Sequence, residues 1–214
     1  MPTELPTAAY FPSDSPYSAE ASVELAIAFV LQHDPNPVVV VPYTRTLSWC
    51  EPLESFAKKR TVLTPLNDGR VRDNTRGRGM LVYAPALKEM ELALRHSKGA
   101  PIAVVEDLAW SAEKWADEAG AANLVADPPR LHSTKRTADH EKILKAIDWA
   151  GNNGWHDVPG KRDLVRLLGE LQSIGKLDKA EVVAYQLVQG RHHHYTALVE
   201  LEKQIDKLIG KRDR

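Results

Sequence analysis

One cysteine, Cys50, is present in the whole chain, so no internal disulfide can form and no Cys-rich zinc site can be built. No stretch approaches the roughly 18 consecutive apolar residues that a membrane span needs. The opening M-P-T-E-L-P-T has neither the basic start nor the apolar run of a signal peptide. A reducing, cytoplasmic setting is the expectation. Charge of one sign is also missing. A net charge of −1 excludes a uniformly basic nucleic-acid binder, while leaving room for a local basic patch.

Familiar chemical signatures are equally sparse. The chain lacks G-x-x-x-x-G-K-[ST], hence a phosphate loop with its magnesium-binding hydroxyl, and lacks G-x-G-x-x-G after the first expected strand. In G-R-G-M the glycines precede a strand instead of opening a helix, which is the wrong place for a dinucleotide fingerprint. No cofactor is implied. V-V-V-V-P-Y-T-R echoes the strand-then-P-T-R element of helicase motor domains, over a stretch too short to define a family.

What is present is a periodic pattern. Residues 1–18 hold Pro2, Pro6, Pro12 and Pro16, which forbid a continuous helix, and read as an N-terminal arm laid across the surface. Residues 19–128 alternate strand and helix signals. Short apolar runs recur at Val38–Val41, Thr61–Leu66, Met80–Tyr83, Ile102–Val105 and Asn123–Ala126, with helical periodicity from Ser18 and across Ala86–Ser97 and Ser111–Ala119. The pattern predicts a Rossmann-like, three-layer α/β domain with a mainly parallel sheet of about five strands. The stretch from Leu66 to Met80 is too short and polar to predict a helix. It reads as a loop, either a hairpin or an irregular parallel crossover, and doubly buried flanking strands favour the crossover.

Residues 129–136 read as a basic linker, and residues 137–214 as an all-helical region. Leu164, Leu167, Leu168, Leu171 and Ile174 form one apolar stripe, and Leu198, Leu201, Ile205 and Leu208 form another, spaced 3-4-3. The second stripe suits packing within the chain, or a protein partner met through the C-terminal helices. Charge divides along the chain: residues 1–129 carry 12 Lys/Arg against 17 Asp/Glu, and residues 130–214 carry 16 against 12 with six of the eight histidines.

The most distinctive chemistry lies in N-D-G-R-V-R-D-N-T-R-G-R-G, where Arg70, Arg72, Arg76 and Arg78 alternate with glycines. Guanidinium pairs bidentately with phosphate, and glycine lets backbone N–H groups approach the same anion. In parallel sheets ligands sit beyond the carboxyl ends of the strands, which adds Arg45, Glu106 and Asp107 as candidate ligand-binding residues. His192, His193 and His194 are consecutive, so on a helix they splay about 100° apart and cannot share one ion. They read as exposed residues at the start of the last helix, and no metal site is expected.

The leading expectation is a non-catalytic binding or regulatory protein that contacts a phosphate-bearing ligand, nucleic acid or nucleotide, through the arginine-rich loop. One alternative is an enzyme on a nucleotide or phosphorylated metabolite, with Glu106 or Asp107 as base or metal ligand and Arg45 on the phosphate. Another is a structural adaptor using the C-terminal helices. No complete catalytic constellation is visible.

Overall fold

The computed structural model describes residues 7–108, 110–189 and 193–210, without the side chains of residues 72 and 73. The chain divides into two compact units, Met1–Ser133 and Thr134–Arg214.

The first unit is an α/β domain. Its strands are β1 (Ala8–Phe11), β2 (Val38–Val40), β3 (Val62–Leu63), β4 (Met80–Tyr83), β5 (Ile102–Val105), β6 (Ala122–Asn123) and β7 (Arg130–Leu131). They form one sheet in the order β3-β2-β4-β5-β1-β6-β7, parallel except for the β6–β7 pair. The helices are α1 (Ala19–His33), α2 (Glu51–Ala57), α3 (Asp68–Thr75), α4 (Leu87–Ser97) and α5 (Glu113–Ala119), with a 3-10 turn at Thr44–Trp49. The chain steps one way from β1 through β2 to β3, then back through β4 and β5. Right-handed connections therefore put α1 and α2 on one face and α3, α4 and α5 on the other.

Alternation along each strand divides the core. Ala9, Phe11, Val39, Leu81, Ala103 and Val105 pack with Val23, Ala26, Phe29 and Val30 of α1 and Leu53 of α2. Tyr10, Val40, Val82 and Val104 point to the opposite face and are also buried. Strands buried on both faces read as continuous apolar runs, which is why V-V-V-V, M-L-V-Y and I-A-V-V stand out in the sequence.

Three expectations need correction. The N-terminal arm is not an arm: Ala8–Phe11 is an interior strand, paired in parallel with β5 and β6, although residues 1–6 lie outside the described residues. Pro12 bounds this strand rather than forbidding it, and tertiary pairing on both sides stabilises a run too short to register by periodicity. The segment between Leu66 and Met80 is not a loop, because Asp68–Thr75 is α3. Its only apolar residue is Val71, so it shows no stripe; polar contacts to α4 hold it instead. Asp68 accepts from Arg95 at 2.9 Å and from His96 at 2.6 Å, and Thr75 meets the other His96 nitrogen at 2.6 Å. The crossover is parallel, with β2 lying between β3 and β4. Finally, the sheet has seven strands rather than about five. The additional ones are β1 and β7, and β7 falls within the stretch read as a linker.

The second unit is helical: α6 (Ala138–Ala150), α7 (Val158–Ser173), α8 (Lys179–Val188) and α9 (Tyr195–Ile209). Thr137, Asp157 and Asp178 cap three of these helices, each accepting from a backbone N–H in the first turn. Leu164, Leu168, Leu171, Leu198, Leu201 and Ile205 are buried inside the unit, so the α9 stripe is covered by its own chain. Trp155 is fully buried and donates its indole N–H to the Ile147 carbonyl at 3.0 Å. His193 is buried as well, against expectation: its ring lies 4.3 Å from that of Trp155, and Nε2 lies 3.1 Å from Asp148. His194 is exposed, and His192 lies outside the described residues. No helix among the described residues is long and apolar enough to cross a membrane.

The interior position of β1 has a measurable consequence. Replacing Phe11, which is fully buried, by alanine is expected to cost about 3–5 kcal/mol in urea unfolding. A surface arm would lose less than about 1 kcal/mol, as exposed substitutions usually do.

Candidate functional site

The residues singled out in the sequence do not converge. Arg45 lies in the segment leaving β2, exposed, with its guanidinium 5.3 Å from the centre of the Tyr43 ring. Arg70 is exposed on α3, and Arg76 is exposed just after that helix. The Arg72 side chain lies outside the described residues. Arg78 precedes β4, at the N-terminal edge of the sheet, whereas Glu106 and Asp107 follow β5 at its C-terminal edge. Met80 pairs with Ile102 and Tyr83 with Val105, so the two sets are separated by the length of the strands, roughly 15–20 Å at about 3.3 Å per residue.

The two edges differ in charge. In the connections entering β2, β3, β4 and β5 (residues 34–37, 58–61, 76–79 and 98–101) the charged residues are Lys58, Lys59, Arg60, Arg76, Arg78 and Lys98 against one acid, Asp34. That acid is already engaged. Asp34 accepts from Arg78 Nε at 3.2 Å, from the Gly79 N–H at 2.8 Å and from the Asn36 N–H at 2.8 Å. Burial alone would raise its carboxyl; these donors outweigh burial and hold it below the ordinary value. Arg76, Arg95, His96 and Lys98 line a small niche. Arg95 is shared between Asp68 and Glu91, whose negative charges outweigh burial and raise its pKa.

The connections leaving β1 to β6 have the opposite balance, with Arg45 against Asp14, Glu106, Asp107 and Asp127. Here a cavity of about 390 Å³ opens beside the ends of β5 and β1, flanked by β6 and β7. Glu106 fixes its wall. One carboxylate oxygen accepts the Ala112 N–H at 2.7 Å, and the other accepts the Ser13 N–H at 3.0 Å and the Ser13 hydroxyl at 3.2 Å. The Tyr10 phenol also bonds to Glu106, and its pKa is pushed up by burial first and then by that negative charge. A carboxylate this fully engaged is a clamp between β1, β5 and α5 rather than a free base.

His132 also lines the cavity, with its side chain 9% exposed. Its Nδ1 lies 2.9 Å from Asp117 on α5, and its Nε2 has no hydrogen-bond partner. Periodicity gave no hint of this residue, because it lies in the polar stretch after β7 and meets Asp117 only through the fold. Cys50 is buried, and burial pushes its thiol up, away from nucleophilic reactivity. Among the described residues, no three His, Cys, Asp or Glu side chains are grouped to hold a metal ion.

No family model matches the chain, and no curated protein or solved structure matches it either.

Asp34 and Asp68 set an acid limit on this unit. Burial would raise Asp68 too, yet Arg95 and His96 outweigh it, so both carboxyls titrate lower folded than unfolded. Their stabilisation is complete above the unfolded carboxylate value, near pH 4, and is lost as pH falls through the lower folded values. Denaturation midpoints measured from about pH 5 to about pH 2 should fall less steeply for Asp34→Asn/Asp68→Asn than for the unaltered protein. Equal slopes would show that neither carboxyl is depressed.

Proposed function

We propose that the α/β unit is a non-catalytic binding module for a phosphate-bearing polyanion, nucleic acid foremost, contacted through the N-terminal edge of its sheet. One observation carries this reading: six cations gather in the four connections entering β2 to β5, and the single carboxylate among them is bound to Arg78. Lys58, Lys59, Arg76 and Lys98 remain exposed there, without a carboxylate partner among the described residues. The arginine-rich segment contributes its C-terminal end, Arg76, and not a flexible loop.

Lys58, Arg76 and Lys98 also stand at the C-terminal caps of α2, α3 and α4, where a cation complements the helix dipole by about 0.3–1 kcal/mol. That role stabilises the fold and requires no ligand. Salt dependence of binding separates the two.

The enzyme alternative finds less support. It needs Arg45 beside a free Glu106 or Asp107, but Glu106 is consumed by four donors and Arg45 rests on Tyr43. The adaptor alternative rested on the α9 stripe, which is buried within its own unit.

The test is titration of a labelled DNA duplex at several salt concentrations. Four phosphate contacts give a slope of about −3 to −4 in log affinity against log salt. Lys58→Gln/Lys59→Gln/Arg76→Gln/Lys98→Gln should remove most of that slope while leaving the melting transition cooperative, and Arg45→Gln should leave binding unchanged. Loss of affinity in Arg45→Gln with full binding by the quadruple variant would move the site to the other edge. No binding at low salt by the unaltered protein would leave Lys58, Arg76 and Lys98 as helix caps and Lys59 as a solvated surface charge.

A further inference from the structure

We propose that the helical unit carries a site of its own, independent of the polyanion reading, where the turn between α6 and α7 and the start of α9 hold a small tetrahedral oxyanion of the phosphate or sulfate type. A cavity of about 280 Å³ opens there, a little below the range of drug-sized sites and ample for such an ion or a small phosphate monoester. Its polar wall is made by Asn152, Asn153, His156, His193, His194 and Thr196, and no carboxylate is among the described lining residues. The acids behind the wall are engaged. Asp148 meets His193 Nε2 at 3.1 Å, and Asp157 accepts the Gly160 N–H at 2.7 Å and the Asn153 amide N–H at 3.4 Å.

The two outer imidazoles supply the donors. His156 and His194 are exposed, and neither ring makes a hydrogen bond or ion pair to a described residue. Neutral or charged, and in either tautomer, an imidazole keeps at least one N–H to offer an oxyanion. A cation would find no carboxylate on this wall, and among the described residues no three His, Cys, Asp or Glu side chains group to hold a metal ion. The N-cap of α9 is His194, without a side-chain capping bond, so the positive end of that helix dipole adds to the same field.

Two glycines keep the wall in shape. At Gly154, φ +69°, a Cβ would lie 3.1 Å from Cδ2 and Nε2 of His156 and 3.0 Å from the Ala197 Cβ. At Gly151 a Cβ would lie 2.8 Å from Cε1 of His193. Both rings therefore pack directly on the turn backbone, which leaves little ordering for binding to impose.

A free oxyanion and a small phosphate monoester share this chemistry. Chemical-shift titration of backbone amide and imidazole C–H signals at low ionic strength separates them, with inorganic phosphate, sulfate and glycerol 3-phosphate as probes and chloride and Zn²⁺ as controls. Saturable shifts at His156, His194 and Thr196 are expected with the oxyanions and not with chloride. Tighter binding of glycerol 3-phosphate than of phosphate identifies a monoester as the ligand, and the reverse order a free ion. His156→Ala/His194→Ala, both at exposed positions, should weaken binding about tenfold, read on the Thr196 amide, with an unchanged melt, because two donors are lost. DNA binding by that variant and its salt slope should be unchanged, so failure of this site is distinguishable from failure of the polyanion reading. No saturable shift with any oxyanion, undiminished binding by His156→Ala/His194→Ala, or Zn²⁺ held at the two rings in preference to phosphate would overturn the proposal.

Discussion

The α/β unit depends on one short ladder, in which Ala8–Phe11 lies between β5 and β6. All four residues pair with β5, and Ala9 and Tyr10 pair with β6 as well, so the strand can be buried with its backbone N–H and C=O groups engaged in the ladder. Tyr10 then anchors the α5 face and Phe11 the α1 face. Without this insertion β5 would become an edge strand, and the β6–β7 hairpin would have no attachment to the sheet. The Glu106 clamp follows from the same geometry, since only the pairing of β1 with β5 brings Ser13 to that carboxylate. The cavity wall is therefore a by-product of the central ladder.

A second constraint is the polarity that a parallel sheet imposes on its edges. Every helix that follows a strand starts at the C-terminal edge and finishes at the N-terminal edge, so the partial positive ends of the dipoles gather at one side and the negative ends at the other. Acids around the cavity and cations where the chain re-enters the sheet each complement that field. Asp34 is the exception, a carboxylate at the C-terminus of α1, and three donors hold it in place. The unit thus has two oppositely charged ends with an apolar sheet between them. The net charge of −1 for the whole chain conceals this arrangement.

Legibility in the sequence followed the reach of each signal. Met80–Tyr83 and Ile102–Val105 are read with correct ends, because a strand buried on both faces is a local pattern. The helical second unit is equally plain, with Leu164–Leu171 and Leu198–Ile205 spaced to one face. Elements stabilised by distant partners were not visible. The run A-A-Y-F is too short to show a period, and α3 has one apolar residue. The candidate site suffered most: Arg78 with Asp34, His132 with Asp117 and His193 with Asp148 are each pairings across long sequence gaps. Position in the chain placed the four arginines together, yet a helix and a strand start assign them different surroundings.

The ladder also has a consequence in time. Ser13 and its partner Glu106 are 93 residues apart in sequence. At ribosomal rates of about 5–20 residues per second, the first strand waits roughly 5–20 s for β5 to be made. Throughout that interval A-A-Y-F has no sheet to join, while α1, β2, β3 and β4 can already associate nearby. Proline at positions 6 and 12 donates no N–H, which discourages extension of a premature strand pairing beyond this run. The segment that completes the sheet is synthesised before either of the strands it joins.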